Sequence, residues 1–88
     1  SIKLVSKQFN LTHSIHENIE LLKGLSLQKQ IHILFDETNA KLVYGDSKMI
    51  TTVVRNLITN ALKFTNIGGT ITIKISTVST KYQVAINV

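Results

Sequence analysis

The chain contains no cysteine, no proline and no tryptophan. Without cysteine it can form no disulfide, ligate no metal through thiolate and present no cysteine nucleophile. Its redox compartment stays open on that ground, though compatible with cytosol. Without proline, strong punctuation falls to Gly24, Gly45 and the pair Gly68-Gly69. No apolar run nears the roughly 20 residues that cross a bilayer, and the opening SIKLVSKQFN lacks the unbroken apolar stretch of a signal peptide, so a soluble chain is expected. Charged residues make up only 17%, too few for a disordered tail, and 43% are apolar, enough for a core. Eighty-eight residues then predict one small domain, spanning 1–88.

Lysine and arginine outnumber the acids by 10 to 5, a net charge of +5. That excess invites a nucleic-acid reading, but the basic residues are spread from Lys3 to Lys81 and no aromatic alternates with them. Ordinary solvated lysines account for them better, and no nucleic-acid partner is expected.

Periodicity gives the organisation. A short strand over Val5 to Phe9 leads to Asn10 or Thr12 as cap of a first helix, with Leu11, Ile15, Ile19 and Leu22 at helical spacing. Gly24 costs about 1 kcal/mol inside a helix, so a kink there or continuation towards Lys29 is expected, and continuation is favoured. IHILF, residues 31 to 35, alternates in the manner of a one-sided strand; Asp36 to Lys41 reads as a loop and Leu42 to Tyr44 as a short strand. Gly45-Asp46-Ser47 supplies a turn and cap for a second helix from about Ser47 to Phe64. TITIKIS and KYQVAINV, turning within Thr77 to Thr80, form an antiparallel hairpin with Ile71, Ile73 and Ile75 on one face and Tyr82, Val84, Ile86 and Val88 on one face. The expected class is α+β: a two-layer α/β sandwich, helices on one face of a mostly antiparallel sheet, the other sheet face polar.

The second helix carries NLITNALKFT, residues 56 to 65. Asparagine lowers helix propensity by up to about 0.7 kcal/mol relative to alanine, so two of them four apart need a reason. At about 100° per residue, Asn56, Asn60, Lys63, Thr52 and Thr59 share one polar stripe. Ile50, Val53, Val54, Leu57 and Ala61 centre about 110° from Asn56, which sets Asn60 at the boundary, facing a cleft. Mutual hydrogen bonding or solvation explains the asparagines equally well from spacing alone. The set's chemistry favours a ligand: amide oxygens for a hard cation, a lysine, and an aromatic at Phe64 suit a metal-bound polyphosphate.

NLITNALKFT resembles the N box of sensor histidine kinases, N-x-x-x-N-A-x-K-[FY]-[ST], at every fixed position. The likeness extends upstream through FNL, LKGLSLQKQIHI and VYGDSKMITTVVRNL, and downstream through a glycine turn into a strand. It implies the ATP-binding sandwich shared by gyrases, heat-shock chaperones, histidine kinases and mismatch-repair ATPases. Within it, Asn60 would ligate Mg²⁺ bridging the ATP phosphates, Asn56 would support the same site, Lys63 would contact phosphate, and the Phe64 ring would border the nucleotide, with a core aromatic as the alternative. Hydrolysing branches carry a glutamate base where Asn56 stands, so the resemblance implies a kinase and no general base here.

The resemblance also implies partners: a histidine-bearing dimerisation hairpin and a response regulator. The His16-Glu17 pair is not followed by the arginine, threonine and proline of the family's acceptor pattern and lies too near Asn60 in the chain, so His16 is not the expected acceptor. His13 and His16 stand at metal-sharing spacing without a third ligand, and with His32 they read as surface histidines. VAINV is similar to the strand preceding the family's Asp-x-Gly-x-Gly box, so the expected piece is the N-terminal part of the catalytic domain, incomplete at its C-terminal end. Such a piece would be inactive alone, bind Mg-ATP weakly or not at all, and pair two copies along an unfinished sheet edge. It would be a cytoplasmic domain, membrane anchoring of its parent being left open. A non-catalytic signalling interaction module is the alternative, and a basic nucleic-acid-binding module a more distant one.

Overall fold

The computed structural model describes residues 3–88. Its elements run β1 (Lys7–Asn10), α1 (Leu11–Leu21), α2 (Lys23–Gln28), β2 (His32–Phe35), β3 (Leu42–Gly45), α3 (Ser47–Phe64), β4 (Thr70–Val78) and β5 (Lys81–Asn87). Strands β1 and β3 pair antiparallel, Phe9 opposite Val43. The larger sheet has the order β2-β4-β5, with β2 parallel and β5 antiparallel to β4. A parallel neighbour needs a long crossover, and β3 with α3 supplies it between β2 and β4. The expected α+β sandwich is present, its sheet open at β5.

Period-2 alternation decides what the sheet buries. Ile71 and Ile73 are fully enclosed, and Val84 and Ile86 on β5 pair with Ile75 and Ile73. Ile31 is buried at the entrance to β2, while His32 stays exposed on the opposite face. Over the buried face lie α1, through Leu11 and Ile15, and α3, through Val54, Ile58 and Leu62.

Three details differ from the sequence expectation. The first helix breaks at Leu22, with φ −96° and ψ 8°, one residue before α2 begins, and Gly24 lies inside α2. The hairpin turn is tighter than expected, with Ser79-Thr80 between the strands and Ser79 at φ 58°. The third concerns α3. Val53 is 52% exposed and Leu57 44%, whereas Ile58 and Leu62 are 0% exposed. The helix is therefore rotated so that its buried face lies almost opposite Asn56. Apolar residues between Met49 and Phe64 spread over more than half of the helix circumference, so hydropathy alone misjudges the facing.

This setting predicts an asymmetric pair of substitutions. Ile58→Ala should cost about 2–5 kcal/mol in urea unfolding and Leu57→Ala about 1 kcal/mol or less. Equal costs would contradict the observed rotation.

Candidate functional site

The candidate site is one face of α3, so what holds α3 comes first. At its N-terminus Asp46 caps the helix: Oδ1 accepts the Met49 N–H at 2.9 Å. Its other oxygen, Oδ2, accepts the Val5 N–H at 2.8 Å and ties the incoming chain to the helix start. These backbone donors, Met49 foremost and Val5 next, hold the Asp46 carboxyl below its ordinary 3.8. Along its flank α3 is pinned to α1 by polar contacts. Ser14 and Thr51 hydroxyls meet at 2.7 Å, Asn18 Nδ2 donates to the Thr51 carbonyl at 3.2 Å, and Arg55 Nε donates to Asn18 Oδ1 at 3.1 Å. Asn18 is almost wholly buried, and both ends of its amide are satisfied.

At the C-terminus, Lys29 reaches in from the end of α2. Its ammonium donates to the carbonyls of Leu62 at 2.6 Å, Thr65 at 2.7 Å and Lys63 at 3.2 Å. The Ala61 carbonyl takes the Thr65 N–H at 2.9 Å and its hydroxyl at 2.6 Å. The turn that follows is close: a Cβ on Gly69 would lie 2.6 Å from Thr65 Cγ2. Glycine is required there by approach, not by backbone sign.

Held this way, α3 presents Asn56, Asn60, Lys63 and Phe64 together on its exposed side. Among the described residues, none of the side-chain hydrogen bonds engages either asparagine amide, in contrast to Asn10, which caps α1, and Asn18. Lys63 Nζ lies 5.6 Å from the Phe64 ring centroid, within cation–π range. Phe64 is 73% exposed, so the core-aromatic alternative fails. Among the described residues no cleft encloses the four side chains, which stand on an open helix surface. Shallow, open hollows lie elsewhere, among them one of about 410 Å³ between α1 and α3 beside Asn18 and Arg55 and one of about 670 Å³ between the segment entering β1 and the start of α3.

The histidines separate from this face. His13 Nε2 sits 2.9 Å from Glu17 Oε1 and His16 Nδ1 sits 2.6 Å from Glu37 Oε2. No group of three potential metal-ligating His, Asp or Glu side chains occurs among the described residues. Nor is any of their helices long and apolar enough to cross a membrane. The roles of Lys29, Asn18 and Arg55 went unpredicted. Each acts on an element more than thirty residues away in the chain, and local patterning carries no such signal.

Comparison with known proteins supplies the class. The fold matches the nucleotide-free catalytic domain of histidine kinase ThkA with a TM-score of 0.84 at 28% identity, over 97% of this chain and 57% of that one. It also matches ThkA in its complex with the response regulator protein TrrA, with a TM-score of 0.84 at 30% identity, over 94% of this chain and 25% of that one. Among curated proteins, the adaptive-response sensory kinase SasA of Crocosphaera subtropica is 35% identical over 94 residues, 92% of this chain. No protein-family model matches. The chain belongs with the catalytic domains of histidine kinases. It spans about a quarter of the length of SasA, 25%.

The depressed Asp46 carboxyl gives a pH prediction. Because its folded pKa lies below its unfolded value, its contribution is complete above the unfolded pKa and is lost as pH falls through the folded one. Asp46→Asn should lower the melting temperature at neutral pH and lessen the fall seen below about pH 4. Circular-dichroism melts across that range check it, and identical pH slopes in both proteins would refute the cap's ionic role.

Proposed function

We propose that this chain is the part of a histidine kinase catalytic domain that supplies the metal and phosphate contacts to Mg-ATP, in a protein that passes the γ-phosphoryl group to a histidine and on to a response regulator. The single observation that carries the reading is the open face of α3. Asn56, Asn60, Lys63 and Phe64 stand there together, the amides unengaged, on a fold shared with kinase catalytic domains.

The donor set fits the ligand. Mg²⁺ takes oxygen ligands, keeps several waters and needs only one or two protein oxygens when phosphates provide others. An exposed amide oxygen on Asn60, with Asn56 one turn away, meets that demand without a carboxylate cage. Lys63 brings a compact positive charge to the phosphates, and Phe64 offers an apolar ring for the flat part of the nucleotide. When bound, ATP supplies the phosphoryl group; the chain's side chains bind and orient it. A neutral amide at position 56 takes no proton from water at neutral pH, so this face holds the phosphates without activating a hydrolytic water.

A response regulator as the eventual recipient draws support from the TrrA complex of the similar kinase. Pairing of two copies along β5 belongs to the same reading: among the described residues β5 bonds only to β4.

In the full-length gene product, Asn60→Ala should reduce Mg-ATP-dependent autophosphorylation on the order of 100-fold, the scale for losing a contact to developing charge. His16→Ala should leave it unchanged. Radiolabel transfer from ATP measures both, and the reverse pattern would overturn the assignment.

A further inference from the structure

The last turn of α3 poses an electrostatic problem for the function proposed above. A helix C-terminus carries about half a negative charge, concentrated on carbonyls without intrahelical partners. Anions favour the opposite end. Yet Asn60, Lys63 and Phe64 all sit on the last two turns, so a polyphosphate held there would lie beside the unfavourable pole. Lys63 offsets part of this, but its side chain is exposed and among the described residues it meets the Phe64 ring alone.

Lys29 meets the problem from beneath. Its ammonium has three N–H donors, and all three are spent on the carbonyls of Leu62, Lys63 and Thr65. The lysine itself is fixed at both backbone ends. Its N–H donates to the Leu25 carbonyl at 3.2 Å, and its carbonyl accepts the Gly68 N–H at 2.9 Å. The next residue, Gln30, has φ 54°, and this reversal directs the chain into β2, whose His32 N–H bonds the Gly69 carbonyl at 3.0 Å. Lys29 thus sits inside a closed ring of contacts joining the end of α2 to the end of α3.

We infer that Lys29 is a positioning residue for the phosphate-binding end of α3: its ammonium neutralises the helix terminus and fixes the backbone from which Lys63 and Phe64 project. This rests on the Mg-ATP reading. Lys29 is not itself a phosphate ligand, because no donor remains on its ammonium. Its effect on an anion passes through the charge it places against the helix carbonyls and through the direction it gives to Lys63.

The test uses the full-length gene product and measures the dissociation constant for Mg-ATP by calorimetry at low and at raised salt, well below each protein's melting temperature. Lys29→Gln retains hydrogen-bond donors but removes the charge, and should weaken binding about three- to tenfold, the range of a charge at a helix end. Lys29→Arg keeps the charge and should bind within about twofold of wild type. Lys74→Gln, on the exposed outer face of β4, removes the same net charge elsewhere and should leave affinity unchanged. The loss in Lys29→Gln should shrink as salt rises. A lower melting temperature for Lys29→Gln with unchanged Mg-ATP affinity would overturn the inference and leave the functional reading standing. An equal loss in Lys74→Gln would also overturn it, by assigning the effect to net charge. Absence of Mg-ATP binding by the wild-type protein would overturn the functional reading and this inference together.

Discussion

Everything that this molecule offers to a ligand depends on the rotational setting of α3 against β4. Ile58 and Leu62 belong to the same buried cluster as Ile71 and Ile73, and all four side chains are closed off from water or nearly so. Their burial fixes which residues face outward, because neighbouring side chains on a helix are separated by about 100°. A turn of one residue's angle would carry the asparagine stripe towards the sheet and bring exposed Leu57 closer to the core. Burying a primary amide without partners costs about 1–3 kcal/mol, so the packed arrangement and the exposed amides select each other. The site is a by-product of the core only in geometry; its chemistry is set by what the core leaves outside.

Packing against a sheet fixes rotation better than it fixes translation along the helix axis. Polar contacts supply the second constraint. Asp46 at the start and Lys29 at the end are oppositely charged and each stands at the pole of the helix that favours its sign. Between them Ser14, Asn18 and Arg55 join α1 to α3. No buried side-chain nitrogen or oxygen among the described residues lacks a partner, which makes this network a specifying one, since any slip of α3 would orphan several groups at once.

Local patterning made much of this legible. The hairpin followed from isoleucines at every second position, and the bounds of α3 followed from Asp46 as cap and from the glycines beyond Thr65. Strands β1 and β3 were placed within two residues, because short strands offer few alternations to count. What escaped were relations across the sequence. Val53 and Leu57 read as core because α3 is apolar on much of its circumference, and only the partner sheet decides which apolar side it covers. The break at Leu22 was not foreseen: only Gly24 drew notice there and continuation through it was favoured, whereas the chain breaks two residues earlier at a non-glycine residue, which tolerates the conformation seen because its φ is negative. Lys29 was an undistinguished lysine in sequence, since its three acceptors lie more than thirty residues downstream. The stripe of asparagines was legible as a stripe. The cleft expected around it was not found, because the elements present cover α3 on its sheet and α1 sides only.

The disposition of negative charge bears on the kind of chemistry this face can support. The chain has five carboxylates, and α3 itself contributes none to its exposed side. Asp46 is spent on the cap and on Val5, Asp36 on the backbone and hydroxyl of Thr38, Glu17 on His13 and Glu37 on His16. Glu20 lies on α1, outside the asparagine stripe. A water-activating base must come within hydrogen-bond reach of the reacting group, and a nearby carboxylate would also repel phosphate. A face composed of amides, one lysine and an aromatic ring does neither. Under the proposed reading it would hold an anion and a hard cation together and leave the anion chemically intact, which is what a phosphoryl donor awaiting a nucleophile from another element requires. The same composition would serve a hydrolase poorly, so the sorting of carboxylates away from α3 bears on reaction type independently of the motif.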